Sequence, residues 1–266
     1  MIKDELNSLI KNKNIDAGLL ITYGDKEIYS YQSDKVFPAA GLVSLGILAY
    51  VEKLWQKDSS LLNEELEVTD LSRVRGSGII SRLQQSCWPL RDLVFLVASM
   101  SDNAATNLLI ERFDIYEIDD WLRDNYPGMR LGRELMRYSP TGQDNEITAT
   151  SVNKLLQYFL NTNNEFCDIV RNGLSNQTTH YSISTYDNND FPTYNRMGEI
   201  DNYRHEVCSF KTQNGPLTLI ALTQYEGQKS EDLLFLQEVG KTIFSKISLP
   251  EKKKPSTTPK PKRNER

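Results

Sequence analysis

The sequence predicts an α+β fold: a five-stranded antiparallel sheet flanked by N- and C-terminal helices, with a helical region at about 60–185 inserted between strands two and three. Three observations carry this. Two short strand patterns meet at Gly24-Asp25, close to the N terminus. Apolar residues then recur every three or four positions through residues 90–160, and after residue 190 the period falls to two. Strands at both ends of a chain with helices between them pack as one layered sandwich. At 266 residues, 39% hydrophobic and 25% charged, the chain can bury a large core, and no repeat or linker divides residues 1–249, so these are expected to form a single domain.

The elements follow in order. "AGLLITYGDKEIYSYQSD" (17–34) places two strands around the Gly-Asp turn signal. "VFPAAGLVSLGILAYVEKL" (36–54) has so few polar positions that a helix here is central and buried on nearly every side. Pro38 suits the helix entry. Gly41 and Gly46 do not suit its interior, since each costs about 1 kcal/mol relative to alanine there. "LRDLVFLVASM", "AATNLLIERF" and "TATSVNKLLQYFL" are helical, the last opening on capping residues. "TYNRM", "EVCSFKTQ" and "LTLIALTQY" alternate as three antiparallel strands, and "SEDLLFLQEVGKTIFSKI" closes the domain as a helix.

Composition excludes several classes of chemistry. His180 and His205 are the only histidines, and Cys87, Cys167 and Cys208 are odd in number and widely spaced. That pattern fits reduced core thiols, with neither a disulfide framework nor a metal site, and no metal or cofactor is expected. The opening residues carry no signal-peptide pattern and no segment is long enough to span a bilayer, so a cytoplasmic protein is expected. The net charge of −5 is uneven: residues 250–266, "PEKKKPSTTPKPKRNER", carry +5 and leave −10 for the rest. This basic, Pro-rich tail lacks apolar anchors and is expected to be disordered, a solubilising segment first and a contact for nucleic acid or an acidic surface second.

Four phrases in order, "FPAAGLVSLGILAYVEKL", "GSGIISRL" (76–83), "SDNAATNLLI" (101–110) and "MGEIDNYRHE" (197–206), resemble class A β-lactamases and related penicillin-recognising serine hydrolases. The resemblance spans nearly all of residues 1–248 and implies their fold. It also implies three site elements: S-x-x-K at the start of the central helix, S-D-N on a loop, and K-T-G on a strand. Ser and Lys one helical turn apart let the amine take the serine's proton as the hydroxyl attacks a carbonyl. The second serine relays protons, the asparagine positions the substrate amide, the K-T-G strand binds its carboxylate, and two backbone N–H groups form an oxyanion hole.

The chain departs from this pattern where the chemistry is decided. Gly41 stands at the nucleophile and Ser44 at the base, and neither can do the lost task. Ser101, Asp102 and Asn103 keep S-D-N, with Asp102 read as a structural helix cap and Ser101 and Asn103 as ligand contacts. K-T-G becomes Arg196, Met197 and Gly198, in which Arg196 retains a charge able to hold a carboxylate and Met197 lacks the hydroxyl. "KTQ" (211–213) falls one strand later and is a decoy. Arg204 supplements the expected anion site or is a solvated hairpin charge, and Glu134 and Glu146, read first as exposed loop carboxylates, are the remaining candidates for water activation in a stretch without E-x-x-L-N. The vestigial set Gly41, Ser44, Ser101, Asn103, Arg196, Met197 and Gly198 implies a noncatalytic cleft for a small carboxylate or peptide, or a scaffold. The alternative is an active serine hydrolase using Ser44 or Ser101.

Overall fold

The computed structural model describes residues 2–13, 15–139, 141–177, 182–183, 193–212, 215–227 and 230–247. The tail at 250–266, His180 and Gln213 of the decoy motif lie outside them.

Helix α1 (Ile2–Lys13) leads into β1 (Asp16–Tyr23) and β2 (Lys26–Tyr31), which pair across the Gly24-Asp25 turn. A two-residue strand β3 (Phe37–Pro38) and a 3-10 turn (Ala40–Leu42) precede α2 (Val43–Trp55). The helical region contains β4 (Glu65–Glu67), β5 (Cys87–Pro89), α3 (Leu90–Met100), α4 (Asn103–Phe113), α5 (Ile115–Asn125), β6 (Glu146–Ile147), α6 (Ala149–Asn161) and α7 (Glu165–Ser175). Strands β7 (Thr193–Ile200), β8 (Tyr203–Thr212) and β9 (Gly215–Gln224) then lead to α8 (Glu231–Lys246). The sheet runs β2-β1-β9-β8-β7, antiparallel throughout, which leaves β7 as an edge strand.

Alternation along the strands divides the molecule into two cores. Cys208, Phe210, Leu219 and Ala221 face α1 and α8. These two helices are also tied by Lys13–Glu238 (3.3 Å) and Lys246–Glu5 (3.1 Å). Val207, Ile220 and Leu222 face α2 and the helical region. Every residue of α2 from Val43 to Glu52 is buried. Gly46 is there for space: a Cβ would lie 2.6 Å from Met129 Sδ and 2.8 Å from a Leu122 methyl. Glu52 is buried but accepts hydrogen bonds from Tyr158 Oη (2.6 Å), Gln56 Nε2 (2.7 Å) and Asn164 Nδ2 (2.8 Å), the satisfaction a buried carboxylate requires.

Three sequence expectations need correction. Gly41 lies in the 3-10 turn ahead of α2, so the penalty for a glycine inside an α-helix does not apply to it. Pro38 belongs to β3, paired with β6, instead of opening the helix. Cys87 is exposed, whereas Cys167 and Cys208 are core thiols; burial pushes Cys167 up to about 12, leaving it unreactive at neutral pH.

Candidate functional site

The cleft forms where the edge strand β7 meets the C terminus of α3 and the loop at 76–79. It encloses about 430 Å³ and is lined by Ser77, Ile79, Arg82, Ser101, Met197 and Glu199, among others. Gly41 lies against β7 beside Met197 and Gly198. Its position follows from β7: a Cβ on Gly198 would come within 3.1 Å of Gly41 N and 3.2 Å of the Ala40 Cβ, so only glycine there lets the turn dock on the strand. Ala40 itself adopts φ 48°, a left-handed conformation that alanine holds only when its surroundings impose it.

Gly41 offers backbone alone. A side chain would fit, because the nearest heavy atom to an added Cβ is Met197 O at 3.9 Å. One turn on, Ser44 is wholly buried, and its hydroxyl donates to Gly41 O (2.7 Å) and accepts from Arg196 Nη2 (2.5 Å).

Arg196 is 1% exposed, and among the described residues it is the largest fully buried side chain and no carboxylate meets it. Its Nη1 donates to Val97 O and to Ala98 O (3.2 Å). These carbonyls belong to the last turn of α3, where no further helical N–H exists to reach them. The guanidinium therefore caps α3, and the negative end of the helix dipole meets the cation in place of a counter-ion. Burial still lowers Arg196 to about 10, so it stays charged at neutral pH. With its Nη groups held by backbone and Ser44, this arginine points away from an incoming anion.

Arg204 lies on the other face of the sheet. It shares the α8-facing side of β8 with Cys208 and Phe210, and pairs with Asp232 (2.9 Å) and Glu199 (3.2 Å) at 6% exposure. Beside it in sequence, His205 faces the α2 side. Its Nε2 meets Pro38 O at 2.7 Å and its Nδ1 accepts from Thr223 N (3.2 Å), which together place the ring proton on Nε2. Burial pushes His205 down to about 4, so it is neutral. It fastens β8 to the approach to α2.

The turn between α3 and α4 is built differently. Ser101 ends α3 at φ 54°, and among the described residues its hydroxyl has no hydrogen-bond partner. Asp102 is 1% exposed and accepts from three backbone N–H groups: Ala105 (3.0 Å), Ile79 (2.6 Å) and Ile80 (2.9 Å). It caps α4 and anchors the 76–80 loop at once. Asn103 donates to Arg75 O (3.3 Å), so its amide holds the same loop.

The carboxylates of residues 130–146 do not meet the cleft. Glu134 pairs with Arg137 (2.9 Å) and lines a separate cavity beside α5, while the backbone of Glu146 bridges Arg130. Asn107 braces this stretch by bonding both the N–H and the C=O of Leu135. "KTQ" begins on β8, with Lys211 opposite Pro216 and away from the cleft edge. Arg82 lines the cleft without having been singled out in the sequence, where one arginine in "GSGIISRL" gives no sign of facing inward. Among the described residues no group of histidines, cysteines and carboxylates has the geometry to hold a metal ion. No described helix is long and apolar enough to cross a membrane.

The family model described as "Beta-lactamase enzyme family" matches residues 1–247. Similar solved structures include a β-lactamase from Sphaerobacter thermophilus (TM-score 0.82, 19% identity, covering 91% of this chain and 96% of that one). A class A β-lactamase from Mycobacterium abscessus (0.80, 16%, 92% and 99%) and PBP-A (0.80, 15%, 91% and 95%) superpose as well. No curated protein matches in sequence. At these identities the superpositions speak to the fold, and the family model speaks to ancestry: the chain belongs to the β-lactamase enzyme family.

Proposed function

We propose that this protein is a catalytically inactive β-lactamase-like protein whose cleft binds a small carboxylate or peptide reversibly. The observation that carries the reading is the pairing at the α2 entry: Gly41 has no nucleophile, and the Arg196 guanidinium sits on Ser44 where the family's lysine amine would take a proton. An arginine does not serve as a general base at neutral pH, even with its affinity for protons lowered to about 10. What persists is a concave, partly polar cleft beside an edge strand whose outer backbone groups can pair with an extended ligand.

A hydrolase using another serine is the competing reading. One observation favours it: Ser101 Oγ lies at the cleft with no described partner. Ser44 is buried and doubly bonded, which argues against it as a nucleophile. Turnover of a chromogenic cephalosporin and of an activated ester, compared with Ser44→Ala and Ser101→Ala, decides between the two. Background rates in all three proteins are expected. Turnover lost with one serine would establish the hydrolase.

A further inference from the structure

Arg196 and Arg204, the two cations that the motifs place at an anion site, are both committed elsewhere, one to the C terminus of α3 and the other to Asp232 and Glu199. A cleft meant for a carboxylate must find its positive charge in another residue. Resting on the binding reading above, we propose that Arg82 is the anion contact of this cleft, with the Ser77 and Ser101 hydroxyls completing a carboxylate subsite.

The grounds are geometric. Arg82 lines the cleft, its side chain is exposed, and among the described residues its guanidinium has neither an acidic partner nor a hydrogen bond. Ser77 and Ser101 line the same space, and neither hydroxyl has a described partner. Glu199, the one acidic side chain among the lining residues, turns to Arg204, which it shares with Asp232. The loop that carries Ser77 is fixed by the Asp102 carboxylate on Ile79 N and Ile80 N. Arg82 closes the short 3-10 turn that follows (Ile80–Arg82), so it projects from a held base. A planar guanidinium with adjacent hydroxyl donors matches a carboxylate's two oxygens. Apolar Ile79, Met100 and Met197 leave the rest of the ligand an uncharged wall.

The test is a titration of the isotope-labelled full chain with N-acetyl-dialanine as the free acid and as its C-terminal amide, followed by amide NMR shifts. The free acid is expected to perturb Ser77, Ser101 and Met197 and to bind about tenfold more tightly than the amide, a preference that shrinks with added salt. Arg82→Ala should abolish the preference, Arg82→Lys should keep part of it, and Lys241→Ala on α8 should leave it intact although it removes the same net charge. An acid preference that survives Arg82→Ala overturns the assignment of Arg82 while the binding reading stands. If neither probe moves cleft resonances at millimolar concentration, the binding reading falls and this inference with it.

Discussion

The α2 entry and the α3–α4 turn use their polar groups in opposite ways. At the entry, Gly41 presents backbone alone, and Arg196 bonds the Ser44 hydroxyl while capping α3. At the turn, Asp102 and Asn103 spend their polar atoms on backbone groups of the 75–80 loop and α4. The Asp102 carboxylate cannot be removed without orphaning three N–H groups, whereas a side chain can be added at Gly41 without meeting a near neighbour.

The comparison breaks most readily at Asp102. Asp102→Ala is expected to cost about 3–5 kcal/mol in urea unfolding, because buried N–H donors lose a charged acceptor. A loss below about 1 kcal/mol would show that the turn persists for another reason. The next largest effect is with pH at the α2 side. His205 has its folded pKa lowered to about 4 against an ordinary 6.5, so the unfolded chain binds its proton first. Stability is therefore full above pH 6.5 and falls by up to about 3 kcal/mol as the pH drops to 4. Thermal melts across that window measure it, and His205→Gln should flatten the slope.

Arg196→Met is expected to destabilise by about 2–3 kcal/mol, since Val97 O loses its donor and Ala98 O keeps only Gln177, and Ser44→Ala by about 1 kcal/mol. Because the two side chains are bonded, the double variant should fall short of additivity by at least about 0.5 kcal/mol. Full additivity would deny the contact that separates the two regions. Smallest are Gly41→Ser and Ser101→Ala, each within about 0.5 kcal/mol of wild type: one enters open space and the other removes an unpartnered hydroxyl. A large effect at either would mean that the site carries structural load where none is visible.

Much of this was legible in the sequence. The period-two runs of β7, β8 and β9 and the apolar spacing of α2, α3 and α6 fixed the element types, because burial on one face repeats at the pitch of the element. Strands β3–β6 were too short to show any period, and the 3-10 turn at Gly41 resembles a helix start by composition. The motif comparison picked out Gly41 and Ser44 from residue type alone. It could not foresee that Arg196 turns inward, since its partners at Val97, Ala98 and Ser44 lie about 100 and 150 residues away in the chain. Nor could it foresee that Arg204 points to α8, which depends on register, or that Arg82 stands free at the cleft.

The central claim is that covalent chemistry has been lost from this cleft, and intact-protein mass spectrometry after incubation with several β-lactams and activated esters tests it most directly. An unmodified mass is expected with every reagent. A stoichiometric adduct mapped to Ser44 or Ser101 would contradict it.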